Sequence, residues 1–104
     1  MPGVSVYVTA ESMEQATMIA RAVVSERLAA CANILGNITS VYRWDGELHE
    51  DREVAILLKT RRSLIDRLTD RLKDLHSYEC PCVTAFEIVG GNADYLDWIE
   101  TETS

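Results

Sequence analysis

The chain has 104 residues, 47% of them apolar, with 17 acidic and 10 basic side chains and a net charge of −7. That length makes one domain with room for an ordinary core, and the acidic balance argues against nucleic acid and against an anionic membrane surface. No run approaches the ~18 apolar residues of a membrane span, Met1-Pro2-Gly3-Val4 shows no basic and apolar leader, and three unpairable cysteines point to reduced thiols in the cytoplasm.

Residues 4–9 alternate Val4, Val6 and Val8 with Ser5, Tyr7 and Thr9, the period of a half-buried strand. Ser12 with Gln15 three residues later is a capping-box signature. The helix it opens runs to about Arg27, with Ala16, Ile19, Ala20 and Val23 on one face.

Two long strand-like arms follow, residues 32–44 and 47–59, joined by Asp45-Gly46. Asp-Gly in that setting predicts a two-residue type I′ turn. At ~3.3 Å per residue each arm reaches roughly 40 Å. A compact domain of this length is only about 30–35 Å across. The tip must bend or project, carrying Val41, Tyr42, Trp44 and Leu48 with it. Apolar side chains on a projecting ribbon call for a partner surface, so Tyr42 and Trp44 are expected to contact other copies. Gly36 marks an expected bulge or bend in the first arm. A two-residue turn sets Tyr42 opposite His49, and an unbroken ladder would carry Cys31 to Thr60; a bulge at Gly36 would shift that by one.

Residues 60–63 offer N-cap candidates for a second helix with a stripe of Leu64, Ile65, Leu68, Leu72 and Leu75. His76-Ser77 ends it and Pro81 lies beyond. Residues 83–89 read as a strand, Gly90-Gly91 as a turn, and Asn92 as the cap of a last helix with Tyr95, Leu96 and Ile99 inward. The order predicts an α+β fold, a ferredoxin-like β-α-β-β-α-β sandwich with a long central hairpin and a C-terminal helix. The run Val54-Ala55-Ile56-Leu57-Leu58 lacks alternation, so that strand is expected to be covered on both faces. Helices cover one face, and a second subunit is expected on the other.

Three constellations could carry chemistry. Cys31 lies among alanines where a helix hands over to a strand; it reads as a small buried hydrophobe or as a soft metal ligand or reactive thiolate. His76-Ser77-Tyr78-Glu79-Cys80-Pro81-Cys82 gathers imidazole, phenol, carboxylate and two thiols. Cys80 and Cys82 share a face if extended, and Cu(I) or Zn would suit them, although packing explains them equally simply. At the hairpin tip Glu47, His49 and Asp51 alternate onto one face, either as a loose cation site or as a charged edge that blocks aggregation. No base–nucleophile spacing is visible, so no enzyme is expected.

At these motifs the chain resembles the CutA family, the divalent-cation tolerance proteins. The matching pieces are Glu26-Arg27-Leu28-Ala29-Ala30-Cys31-Ala32-Asn33-Ile34, Ser40-Val41-Tyr42-Arg43-Trp44, Asp45-Gly46-Glu47, Leu58-Lys59-Thr60-Arg61, His76-Ser77-Tyr78-Glu79-Cys80-Pro81 and Tyr95-Leu96-Asp97-Trp98. They span nearly the whole chain, as one CutA-like domain over residues 1–104. The resemblance implies a homotrimer with PII-like architecture and binding of divalent metal ions, copper above all. It implies metal ligation by Cys31, His76 and Glu79 and an inter-subunit cleft lined by Tyr78, Trp44, Lys59, Cys80 and Cys82. Cu(II) or Cu(I) is then the candidate cofactor, with none required for folding. Ser77 replaces the family's proline, Cys80 a usual valine and Cys82 a usual acidic residue. The competing expectation is a PII-like regulatory or scaffold module that binds a small molecule or a protein in the cleft.

Overall fold

The computed structural model describes residues 3–104. Met1 and Pro2, on which the expectation about a leader falls, lie outside the described residues. The elements are β1 (Gly3–Ala10), α1 (Met13–Ser25), β2 (Cys31–Trp44), β3 (Glu47–Arg61), α2 (Ile65–Leu75), β4 (Val83–Glu87) and α3 (Ala93–Glu102). The strands form one antiparallel sheet in the order β2-β3-β1-β4. This is the expected ferredoxin-like sandwich with its additional C-terminal helix.

Alternation sets the layers. Val4, Val6 and Val8 turn to the helical side and are fully buried with Ile56 and Leu58 of β3. Ala16, Ile19 and Val23 of α1 and Leu68 and Leu72 of α2 close the core over them. Ser12 caps α1 as expected, its Oγ accepting from Gln15 N at 3.1 Å. Gln15 Oε1 returns the contact by accepting from Glu11 N at 3.3 Å.

The hairpin takes its expected register. Asp45 and Gly46 both have positive φ, 54° and 80°, as a type I′ turn requires. Tyr42 faces His49, and the ladder shifts between Ile34 and Gly36, where Gly36 has φ 107°. The bulge sets Cys31 opposite Lys59 instead of Thr60. The molecule measures 44 × 25 × 23 Å, so the hairpin stretches it along one axis.

Several local expectations differ from the structure. The first helix stops at Ser25, because Arg27 adopts φ 61°, the left-handed position that glycine usually fills. Arg27 is held there from a distance: its guanidinium donates to the carbonyls of Thr101, in the last turn of α3, and of Ser104 beyond it. Residues 60–63 supply no side-chain cap. Thr60 is still in β3 and donates to the buried Leu28 carbonyl at 2.8 Å, and a 3-10 turn over Arg62–Leu64 leads into α2. The last strand ends at Glu87, short of Val89. In α3 only Ile99 is fully buried; Leu96 is half-buried and Tyr95 is 41% exposed, so Tyr95 does not face inward.

The second face of the sheet is partly covered by the chain itself. Arg61, whose neighbour Thr60 points to the helical side, donates to Thr103 Oγ1 and to the Glu100 carbonyl, both at 3.2 Å. That docks α3 against β1 and β3 at one end. Toward the hairpin tip Val41, Trp44 and Leu48 remain 61%, 52% and 71% exposed.

Glu26 at the end of α1 receives two hydrogen bonds from Arg71 of α2, at 2.8 and 3.0 Å. The hydrogen bond from the Arg71 guanidinium holds the Glu26 carboxyl below its ordinary value, opposed by desolvation and aided by the Arg71 charge. A lowered folded-state value stabilises above the unfolded value and is lost as pH falls through the folded one. Glu26→Gln should therefore lower Tm slightly at neutral pH, and the difference should vanish as pH falls through the lowered folded-state value, where the wild-type carboxyl becomes protonated in both states. Thermal melts of both proteins across pH check this.

Candidate functional site

The α2–β4 connection folds back over the uncovered end of the sheet and makes a cleft of about 740 Å³. Its floor is β1 and the hairpin. Tyr7 and Thr9 point away from the valine face of β1, and Ser40, Tyr42 and Trp44 share a face of β2 with Asp51 and Glu53 of β3. Its wall is Tyr78, Glu79, Cys80 and Cys82. Glu11 and Arg52 complete the rim.

His76 shapes that wall without entering the cleft. It is the C-cap of α2 and is buried. Its Nε2 lies 2.6 Å from the Thr9 carbonyl oxygen, and its Nδ1 accepts from Tyr78 N at 3.0 Å. An acceptor at Nδ1 and a carbonyl at Nε2 require the neutral Nε2–H tautomer. Both ring nitrogens are thereby occupied. The contact turns the chain after α2, and the Tyr78 ring packs on the imidazole with centroids 4.5 Å apart.

Tyr78 then reaches across the cleft and donates to Glu53 Oε2 at 2.9 Å. Burial, and after it the bond to Glu53, raise this phenol well above its ordinary range. Tyr42 makes the matching contact nearer the tip, donating to Asp51, and that bond raises its own phenol. The Tyr42 ring also stacks on His49, with centroids 5.3 Å apart. Of the acidic tip residues, Asp51 is thus part of the cleft. Cys80 and Cys82 are free and exposed. Desolvation, then the charge of Glu53, push the Cys82 thiol up, with a contact to Thr9 opposing them. Cys82 is therefore a neutral thiol near pH 7, not a poised thiolate.

Cys31 sits elsewhere. It opens β2, half-buried, with its Sγ 3.4 Å from the Tyr95 hydroxyl. That contact, with partial burial, pushes the Tyr95 phenol up to about 12. Beside it Lys59 donates to Asn33 Oδ1 at 2.7 Å. Lys59 therefore belongs to the Cys31 corner, and within one chain it is not among the residues lining this cleft. Among the described residues no three His, Cys, Asp or Glu side chains converge on a metal position. One chain does not bring Cys31, His76 and Glu79 together. Their separation follows the register: Cys31 pairs with Lys59, whereas Thr9, which holds His76, pairs with Ala55.

Sequence reasoning missed Tyr7 and Glu11, and it grouped Glu53 with the acidic hairpin tip of Asp45, Glu47, His49, Glu50 and Asp51 rather than with the cleft. The alternation in β1 and the hairpin register place Tyr7 and Glu53 on the sheet face that Tyr42 occupies, and that signal could have found them. No sequence signal marks the Thr9 carbonyl as the partner of His76.

His76→Ala should orphan the Thr9 carbonyl and the Tyr78 N–H and cost roughly 1–3 kcal/mol for each group left buried without a partner. Urea unfolding measures the loss. Nitrogen-15 spectra of the wild-type imidazole should show the Nε2–H tautomer; the Nδ1–H form would contradict the assigned bonds.

Residues 4–102 match the family model of the CutA1 divalent ion tolerance protein. The divalent-cation tolerance protein CutA of Thermus thermophilus is 47% identical over 98 residues, covering 94% of this chain and 95% of that one. Protein CutA of Homo sapiens is 44% identical over 97 residues, covering 93% of this chain but 54% of that one. The chain spans a little over half the length of its rice and human relatives and nearly all of the Thermus one. The solved Thermus structure superposes with a TM-score of 0.95 at 45% identity, covering 98% of this chain and 99% of that one. CutA1 from Oryza sativa superposes with a TM-score of 0.96 at 43% identity, covering 100% of this chain and 95% of that one. The rice relative is named as a chloroplastic protein, and the solved CutA of Archaeoglobus fulgidus as a periplasmic one. By sequence and by fold alike, the chain belongs to the CutA1 divalent ion tolerance protein family.

Proposed function

We propose that this protein is a non-catalytic homotrimer of the cytoplasm that binds divalent metal ions, copper first among them. The observation that carries the metal reading is the Cys31 corner: a free, half-exposed thiol with a phenol hydroxyl 3.4 Å away. A thiol donor suits soft copper ions better than hard cations. Glu79 is exposed and available as an oxygen donor. His76 fits less well, since ligation would require breaking its bonds to Thr9 or Tyr78. No three donors converge among the described residues, so on this reading neighbouring copies supply further ligands. Assembly itself is supported by the exposed Val41, Trp44 and Leu48 on the projecting hairpin. Three free cysteines fit a reducing compartment.

The cleft favours a second reading. A cavity of about 740 Å³ with aromatic walls and a few polar groups has the size and lining of a small-molecule site. On that reading the protein is a regulatory module and metal is incidental.

Calorimetry with Cu(II), Cu(I) and Zn(II) on protein without a histidine tag tests the metal reading. Copper should bind, more weakly as pH falls, because the ligands must shed protons. Cys31→Ala should weaken binding at least about tenfold, that is by 1.4 kcal/mol, without changing the assembly. Equal affinity in the variant would remove Cys31 from the site.

Trp44→Ala tests the contact assigned to the tip. Burying such an aromatic contributes on the order of 2–3 kcal/mol, so the variant should dissociate on dilution where the wild type does not. Size-exclusion elution over a dilution series reads the difference, and identical behaviour would remove Trp44 from the interface.

A further inference from the structure

Arg27 holds a backbone conformation that its own turn does not need from an arginine. Its φ is 61°, in the left-handed region, where the chain leaves α1. Glycine takes that conformation freely, whereas a residue with a side chain is strained there. The turn is fastened without the guanidinium: Leu28 N and Ala29 N donate to the Val23 carbonyl, and Ala30 N donates to the Lys59 carbonyl at 2.8 Å. A strained position that glycine would relieve points to a task for the side chain. The guanidinium leaves its turn and grips the far end of α3. It donates to the Thr101 carbonyl at 2.8 Å and to the Ser104 carbonyl at 3.1 Å, with the Glu102 carboxylate 4.0 Å away. A cation on the last carbonyls of a helix also meets the negative end of its dipole.

Apart from that grip and the Arg61 bonds at the same end, α3 has few ties to the body. Within Ala93–Glu102 only Ile99 is fully buried, and Tyr95 and Trp98 are about two-fifths exposed. Gly90-Gly91 lead into the helix, and a Cβ at either would meet nothing within 4 Å, so the connection gives no support. An element with so few buried side chains opens locally at lower cost than the core. The end away from Arg27 covers the Cys31 corner. There the Tyr95 hydroxyl lies 3.4 Å from Cys31 Sγ, and the Trp98 ring packs on that of Tyr95 with centroids 5.5 Å apart. Arg27 and Cys31 flank one short connection between α1 and β2. The same turn therefore presents the thiol and grips the helix that covers it.

We propose that α3 is a lid over the Cys31 thiol and that Arg27 is the positioning residue that keeps it shut. In the closed state Tyr95 rests on the sulfur. When the guanidinium releases the Thr101 and Ser104 carbonyls, α3 loosens from the sheet on its Gly90-Gly91 connection and the thiol becomes open to soft ions and electrophiles. The proposal goes beyond the metal reading and holds whether or not copper binds at Cys31.

The test is alkylation of Cys31 by iodoacetamide, read by intact mass, in untagged assembled protein carrying Cys80→Ser and Cys82→Ser. When opening and closing are fast, labelling follows the population of the open form. Arg27→Gly lets the turn keep its conformation without strain and removes the guanidinium. It should label about tenfold faster than its parent. Arg27→Lys, which restores a cation, should recover part of the protection. Hydrogen exchange should show the α3 amides loosened in Arg27→Gly and those of β1 and β3 unchanged, with assembly checked by sedimentation. An unchanged labelling rate in Arg27→Gly overturns the proposal. So does an equal loosening of β1 and β3, which would mean that the whole fold has weakened. If Arg27→Gly fails to assemble, Tyr95→Ala takes its place and should also label faster. Protection equal to the parent in that variant would mean that neighbouring copies, not α3, shield the sulfur, and it overturns the proposal equally.

Discussion

The architecture depends on a mismatch in strand length. β2 and β3 have 14 and 15 residues, whereas β1 has 8 and β4 has 5. β1 stops supporting β3 at the pair Ala10–Val54, but β2 and β3 stay paired out to Trp44 and Glu47. Beyond Val54 the hairpin is a ribbon of two strands with no third strand beside it. Such a ribbon is marginal in water by itself. On the proposed assembly its exposed Val41, Trp44 and Leu48 have a physical reason, as the surface by which the ribbon would gain support from other copies.

The same mismatch creates the cleft. Where β1 ends, the sheet face is left without α3, which docks at the opposite end through Arg61. The connection after α2 turns into that gap because His76 bonds the Thr9 carbonyl near the end of β1. Tyr78 follows across the gap to Glu53. Ribbon, imidazole and phenol are therefore one mechanical unit, and the cavity is the space they enclose. The Cys31 corner lies at the other end of the hairpin, so the Cys31 thiol and the cleft are separate in one chain.

Much of this is legible in the sequence because it is local. Asp45-Gly46 announces its turn, Gly36 its bulge, and the two together set the register that puts Cys31 beside Lys59. Ser12 with Gln15 announces the start of α1. What stays hidden depends on distant backbone. Arg27 takes a position usually left to glycine, held by carbonyls at the end of the chain. His76 reads as a ligand from its neighbours in sequence, yet its partner is a backbone oxygen 67 residues away. The helix face points Tyr95 to the core, but α3 docking brings its hydroxyl to Cys31.

The central claim is that the unsupported ribbon and the unclosed sheet face are completed by further copies of the same chain. Sedimentation equilibrium of the untagged protein at micromolar concentration tests it most directly. A single species of three times the chain mass, with no folded monomer on dilution through that range, is the predicted result. A folded, cooperatively melting monomer would contradict the account.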